Sequence, residues 1–164
     1  MANLPDVAQP APAFSAPQTD ETVVSLADFA GQWLVLYFYP KDNTPGCTTE
    51  AKDFTEYIGE FQALGAQVVG VSPDSLGSHA KFTAKHELKL TLLSDPEHQL
   101  AEAYGVWGLK KFMGKEYMGI IRSTFLIDPD QKIAKVWTKV RTKGHAAAVL
   151  DALKAQQAAQ QAEG

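Results

Sequence analysis

The chain has 164 residues, with 45% hydrophobic and 21% charged side chains and a formal net charge of −4. That is room for one domain (1–164) with a substantial core, and the acidic balance argues against a polyanion partner such as nucleic acid. No stretch approaches the ~18 continuous apolar residues of a membrane span, and the single cysteine, Cys47, excludes an internal disulfide.

Taken in order, Met1 to Pro17 is rich in Pro and Ala. It reads as an extended arm (1–12) leading into the domain, with Phe14 as first anchor. The start, MANLPDVAQPAPAF, has no basic region followed by an apolar stretch, so it does not read as a secretory signal. With the lone cysteine, this predicts a reducing, cytoplasmic setting. Thr19 to Thr22 is a hairpin tip before a short strand at Val23-Val24. Ser25 to Asp28 has capping-box spacing for one helical turn, stopped at Gly31.

Trp33 to Tyr39 is a continuous apolar run of strand length, suited to burial on both faces. Pro40 ends it, and Lys41-Asp42-Asn43 is turn chemistry. Thr44 as N-cap, Pro45 at the first helical position and Glu50 in the early turns open a helix to about Leu64. Phe54, Ile58 and Phe61 fall on its inner face.

Gln67 to Ser72 predicts a second buried strand. Pro73 and Asp74 open a helix to about His86, and Leu90 to Ser94 a third strand. Asp95-Pro96 reads as N-cap and first position of a helix ending at Tyr104. Gly105 to Gly119 is a long connection carrying Trp107, Phe112 and Met113 among basic residues. It is either a lid over a site or a loop pinned by its own aromatic side chains.

Ile120 to Ile127 and Ile133 to Lys139 are strands joined by a short turn, hence antiparallel. His145 to about Lys154 predicts an amphipathic helix, with the Ala/Gln-rich tail 155–164 fraying. His79, His86, His98 and His145 are scattered and read as surface residues, and no Cys/His cluster suggests a metal. The order β-α-β-α-β-α-β-β-α points to a three-layer α/β domain. The pattern alone leaves flavodoxin-like folds open.

Cys47 is the chemically distinctive residue. It is placed in the first turn of a helix, just past the C-terminal end of a buried strand, where free N–H groups and the helix dipole favour an anion. The surrounding Thr-Pro-Gly-Cys-Thr-Thr is polar and tight, unlike a core run. An ordinary thiol is only a few per cent ionised at neutral pH, and making one mostly thiolate takes about 2.7 kcal/mol. A helix end supplies about 0.3–1 kcal/mol. A cationic partner is therefore required, and Arg122, Arg141 and nearby lysines are the candidates. Arg122 stands out because a charge near the start of an apolar strand needs a partner. Edge-strand solubility is its other reading.

The spacing Pro40-x-x-x-Thr44-x-x-Cys47 resembles the active-site pattern of the peroxiredoxins. The string YPKDNTPGCTTEA is similar to the subfamily called bacterioferritin comigratory protein, or peroxiredoxin Q, as are VVGVSPDSLGSH and YGVWGLKKFMGKEYMGIIRSTFLID. The resemblance implies a thioredoxin-like fold with a mixed central sheet and an N-terminal hairpin extension. It implies a thiol-dependent peroxidase in which Cys47 becomes a sulfenic acid, with no metal, flavin or haem. It selects Arg122 as the cation beside the sulfur, gives Thr44 a hydrogen bond to bound peroxide, and makes Pro40 a shield over the thiolate. Glu50 would orient Arg122.

The sequence departs from many members of that subfamily in lacking a resolving cysteine. Lys52 and Thr83 stand at the two positions where relatives carry one. A one-cysteine mechanism follows, with reduction by an outside thiol: thioredoxin, glutaredoxin, glutathione, a small dithiol or a second subunit. Monomer and weak homodimer both remain open. A redox sensor or relay, and a binding or holdase module without efficient turnover, are the alternatives.

Overall fold

The computed structural model describes residues 4–163. Its centre is a five-stranded sheet in the order β5-β4-β3-β8-β9. β3 (Trp33–Phe38) is the middle strand and is buried along its whole length. It pairs in parallel with β4 (Ala66–Ser72), which pairs in parallel with β5 (Thr91–Ser94). On its other side, β3 runs antiparallel to β8 (Ser123–Ile127), and β8 to β9 (Ile133–Thr138). The sheet is therefore mixed, parallel in its first half and closed by an antiparallel hairpin.

Strand periodicity sorts β3 between two cores. Val35, Tyr37 and Tyr39 face a layer of α1 (Pro45–Ala63), α2 (Leu76–His86) and α4 (His145–Glu163). Leu34, Leu36 and Phe38 face the N-terminal segment and α3 (Gln99–Ala103). Tyr37 and Phe54 of α1 stack at 4.8 Å between centroids. Gly70 in β4 makes room for that ring, since a Cβ there would lie 2.8 Å from Tyr37 Cζ.

The N-terminal segment forms a hairpin of β1 (Ser15–Pro17) and β2 (Val23–Ser25), followed by one 3-10 turn at Leu26–Phe29 with the Ser25–Asp28 capping box. Before β1 the arm is bonded to the start of β9 and the turn before it: Ala8 N donates to Ile133 O, Ile133 N to Gln9 O, and Ala11 N to Gln131 O. Gln18 bridges to Leu93 on the free side of β5. Residues 1–3 of the expected arm lie outside the described residues.

Five expectations are corrected. The segment Gly105 to Gly119 is no open loop: β6 (Trp107–Phe112) and β7 (Lys115–Ile120) pair antiparallel as a separate ribbon. Its alternation was masked because its side chains are largely exposed, so no apolar face marked it. Arg122 accordingly lies in the short link between β7 and β8, not within one strand. The helix after Asp95 starts only at Gln99, because Asp95 turns away and caps it from below, accepting from Leu100 N and Ala101 N. α2 starts at Leu76, with Ser75 as the N-cap accepting from Ser78 N at 3.1 Å. The tail does not fray after Lys154; α4 continues to Glu163. Ala and Gln are good helix formers, and Gln157 Nε2 donates to Leu64 O at 2.7 Å, tying the extension to the end of α1.

Candidate active site

The site sits where the central strand hands over to α1. Pro40 ends β3, the loop turns with Asn43 at φ 62°, and Thr44 leads into α1 with Pro45 in the first turn. Cys47 is the third residue of α1 and is 1% exposed. So the cysteine is buried at the edge of the helix-side core with Tyr37, Ala51 and Phe54, and it has a polar partner as well. Arg122 Nη2 lies 3.1 Å from Cys47 Sγ, while Nη1 donates to Glu50 Oε1 at 2.7 Å. One planar guanidinium thus joins two side chains on the same face of α1, a fork geometry that lysine cannot reproduce. Gly46 lies beside the guanidinium, and a Cβ there would meet Nη2 at 3.4 Å, an ordinary contact distance. Arg141, the other candidate cation, is exposed.

Glu50 is held by opposing forces. Burial pushes its carboxyl up to about 7, with Arg122 acting against that rise. Among the described residues Oε2 has no hydrogen-bond partner, so the arginine is its main compensation. This bears on the cysteine, because a lone guanidinium shared with an anion offers the sulfur a fixed donor rather than a freely swinging charge.

Thr44 corrects one expectation. Its backbone is at the N-cap position, but its hydroxyl caps nothing: Oγ1 donates to Lys41 O at 2.8 Å. That bond leaves the oxygen lone pairs free and closes the turn instead. A cavity of about 400 Å³ opens beside Arg122 and Pro40, walled by Leu109, Lys110, Lys111, Ile121, Lys139 and Val140. The ribbon β6–β7 therefore forms one side of this cavity, whose lining includes Pro40 and Arg122 but neither Cys47 nor Thr44, and Lys110 Nζ is fixed there by donating to Ile120 O at 2.8 Å. Next to it a wider groove of about 780 Å³ runs under Trp107, Leu109 and Met118.

Two histidines expected on the surface are buried. His145, at the start of α4, meets Thr124 Oγ1 through Nε2 at 2.8 Å. Burial, and then the charge of Arg122, pull it down to about 4, so it is neutral behind the site. His79 is 0% exposed and lies 2.7 Å from Asp42 Oδ2 in the Pro40–Thr44 loop. Asp42, Asp74 and His79 are, among the described residues, the one group with metal-ligand atoms close together. Both ring nitrogens are already committed, to Asp42 and to Leu93 O, so the group does not offer a free imidazole lone pair. No sequence signal linked residues 42 and 79. They meet only because the β3–α1 loop and α2 lie at the same end of neighbouring parallel strands.

Comparison with known proteins places this geometry. The AhpC/TSA family model matches residues 7–136. Peroxiredoxin Bcp of Bacillus subtilis is 52% identical over 149 residues, covering 91% of this chain and 95% of the relative. A solved structure of Xanthomonas campestris peroxiredoxin Q superposes with a TM-score of 0.85 at 45% identity, covering 94% of this chain and 97% of the other. A structure of Xanthomonas campestris bacterioferritin comigratory protein, described for its alkyl peroxide reduction activity, gives 0.85 at 44% identity, covering 95% and 99%. The fold is thus the thioredoxin-like fold of the peroxiredoxins. With half its residues identical to a relative across nine-tenths of its length, the chain belongs to the AhpC/TSA family, among peroxiredoxins of the bacterioferritin comigratory or Q type.

Proposed function

We propose that the chain is a thiol-dependent peroxidase acting on hydrogen peroxide and organic hydroperoxides through Cys47. The supporting observation is the guanidinium of Arg122, 3.1 Å from the sulfur and anchored 2.7 Å from Glu50. The Cys47 thiolate attacks the terminal peroxide oxygen. The S–O bond forms as the O–O bond breaks, and the leaving oxygen departs as alcohol or water after taking a proton. Cys47 is left as a sulfenic acid. Arg122 stabilises both the thiolate and the charge that develops on the leaving oxygen. Thr44 Oγ1, whose hydrogen goes to Lys41 O, accepts from the peroxide hydroxyl. Pro40 lines the cavity beside Arg122, and by the family resemblance it is the residue that shields the thiolate.

With no second cysteine in the chain, the cycle is completed from outside. One thiol attacks the sulfenic acid, forming a mixed disulfide and releasing water, and a second thiol releases Cys47 with a disulfide as product. Thioredoxin, glutaredoxin and glutathione are the donor classes. The working form is a single-domain monomer or weak homodimer in the cytoplasm. Alkyl peroxide reduction, named for the Xanthomonas campestris relative, fits the apolar walls of Leu109, Ile121 and Val140. Rapid mixing of the reduced protein with hydrogen peroxide tests the reading. Fast second-order loss of the thiol, abolished in Cys47→Ser, is expected. Oxidation no faster than that of free cysteine would refute it.

A further inference from the structure

We infer that His79 is a positioning residue for the peroxide reaction, holding the Pro40–Thr44 loop that leads into the first turn of α1, where Cys47 sits, through a buried ion pair with Asp42. This rests on the peroxidase reading above but concerns a residue outside the set that touches the reacting atoms.

The geometry assigns the protons. His79 Nε2 is 2.9 Å from Leu93 O. A carbonyl oxygen only accepts, so Nε2 carries hydrogen. Nδ1 is 2.7 Å from Asp42 Oδ2. Asp42 also receives the Tyr39 hydroxyl at 2.7 Å and the Ser78 hydroxyl at 2.8 Å, so its oxygens face donors throughout. An imidazolium and a carboxylate satisfy every contact at once. The pair is also favoured electrostatically: although burial opposes charge on both, the His79–Asp42 contact raises the histidine and lowers the aspartate.

Each bond ends on a different segment. Asp42 belongs to the active-site loop, Ser78 and His79 to α2, Leu93 to β5 and Tyr39 to the end of β3. Asp42 N donates to Asp74 Oδ2 at 2.8 Å, and Asp74 also accepts from Ser72 Oγ at 2.7 Å. The groups facing the ring are therefore Asp42 from the loop, Asp74 from the approach to α2, the Leu93 carbonyl from β5, and the Tyr39 ring at 6.4 Å. Asp42 lies two residues after Pro40 and two before Thr44. Fixing its backbone and side chain fixes both neighbours, and a burial this costly for two charges ties down the loop that needs a set geometry. Loss of the ring proton would leave a nitrogen facing an acceptor and release the loop.

The test measures the second-order rate of Cys47 oxidation by hydrogen peroxide from about pH 6 to about pH 10, with far-ultraviolet circular dichroism as the fold control. The wild type should show an alkaline fall in rate. His79→Gln keeps a donor without the charge; it should be about tenfold slower or more and should lack that fall. Asp42→Asn is the second variant, used if His79→Gln does not fold, and should move the fall to lower pH. A folded His79→Gln within about threefold of wild type and with the same alkaline fall overturns the proposal, as does an unmoved fall in Asp42→Asn. Wild-type oxidation no faster than a free thiol sinks the peroxidase reading itself, and this proposal with it.

Discussion

Replacing Arg122 with Met removes the guanidinium while keeping an unbranched side chain of similar reach. Two consequences follow from its two contacts. The sulfur loses a charge-assisted donor at 3.1 Å. Removing one such donor from a developing anion costs about 2.7–4 kcal/mol, or roughly 10²–10³ in rate. Glu50 loses its partner at 2.7 Å. Breaking a buried pair by deleting one member costs about 3–5 kcal/mol when the survivor stays charged. Glu50 stands at about 7 even with the arginine pulling it down. Without Arg122 it rises further and takes up a proton, so the stability loss should be smaller at about pH 6 and grow by about 1.4 kcal/mol per pH step above about 7, levelling off where the variant's carboxyl finally ionises. The assays are rapid-mixing oxidation by hydrogen peroxide and denaturant unfolding at two pH values. A rate within about threefold of wild type, or a stability loss independent of pH, would refute the reasoning.

Thr44→Ser should keep near-wild-type oxidation, whereas Thr44→Val should lose about tenfold or more in rate because the acceptor oxygen is gone; equal rates for the two variants would remove Thr44 from the mechanism. The pH dependence of stability contains two opposed contributions. Glu50, raised from 4.5 to about 7, stabilises fully below its ordinary value, and that contribution disappears as pH rises through about 7. His145, lowered from 6.5 to about 4, contributes above its ordinary value, and that contribution disappears as pH falls through about 4. Each gap amounts to roughly 3 kcal/mol, so Glu50→Gln should turn the unfolding free energy upward with pH between about 5 and 7, and His145→Gln downward. Parallel profiles for wild type and both variants would contradict this. Lys52→Cys places a second thiol on α1 five residues after Cys47. A helix rises about 7.5 Å over five residues, beyond the usual Cα separation of a disulfide. Oxidation of that variant should therefore form an internal disulfide only with measurable loss of helical signal. Formation with full helicity retained would show that the rise is not the barrier.

Much of this was legible in the sequence where local rules suffice. The continuous apolar run at Trp33 to Tyr39 marked the central strand, observed as Trp33–Phe38, and Thr44-Pro45 the start of α1, because burial and helix entry leave marks on neighbouring residues. The pairing of Cys47 with Arg122 was not local. Seventy-five positions separate them; its place near the start of an apolar strand made Arg122 stand out, and the resemblance tipped the choice to it over Arg141. The ribbon β6–β7 was missed because its exposed side chains carry no apolar alternation. The burial of His79 and His145 was missed for the opposite reason: each is made tolerable by one distant polar partner, Asp42 or Thr124, which nothing in the adjacent residues announces. The Thr44 hydroxyl had two local acceptor and donor options, and the turn won over the helix end.

The N-terminal arm has a role that its loose composition conceals. Residues 8–11 are bonded at the start of β9, and the hairpin that follows touches β5 through the Gln18–Leu93 bridge, so the N-terminal segment reaches both outer strands of the five-stranded sheet. Exposed rims are templates for intermolecular strand addition. Trimming the chain ahead of Phe14 would bare the β9 side, and unpicking the hairpin would bare the β5 side. Self-association through open strands, rather than any change at the sulfur, is then the first failure such a truncated protein should show.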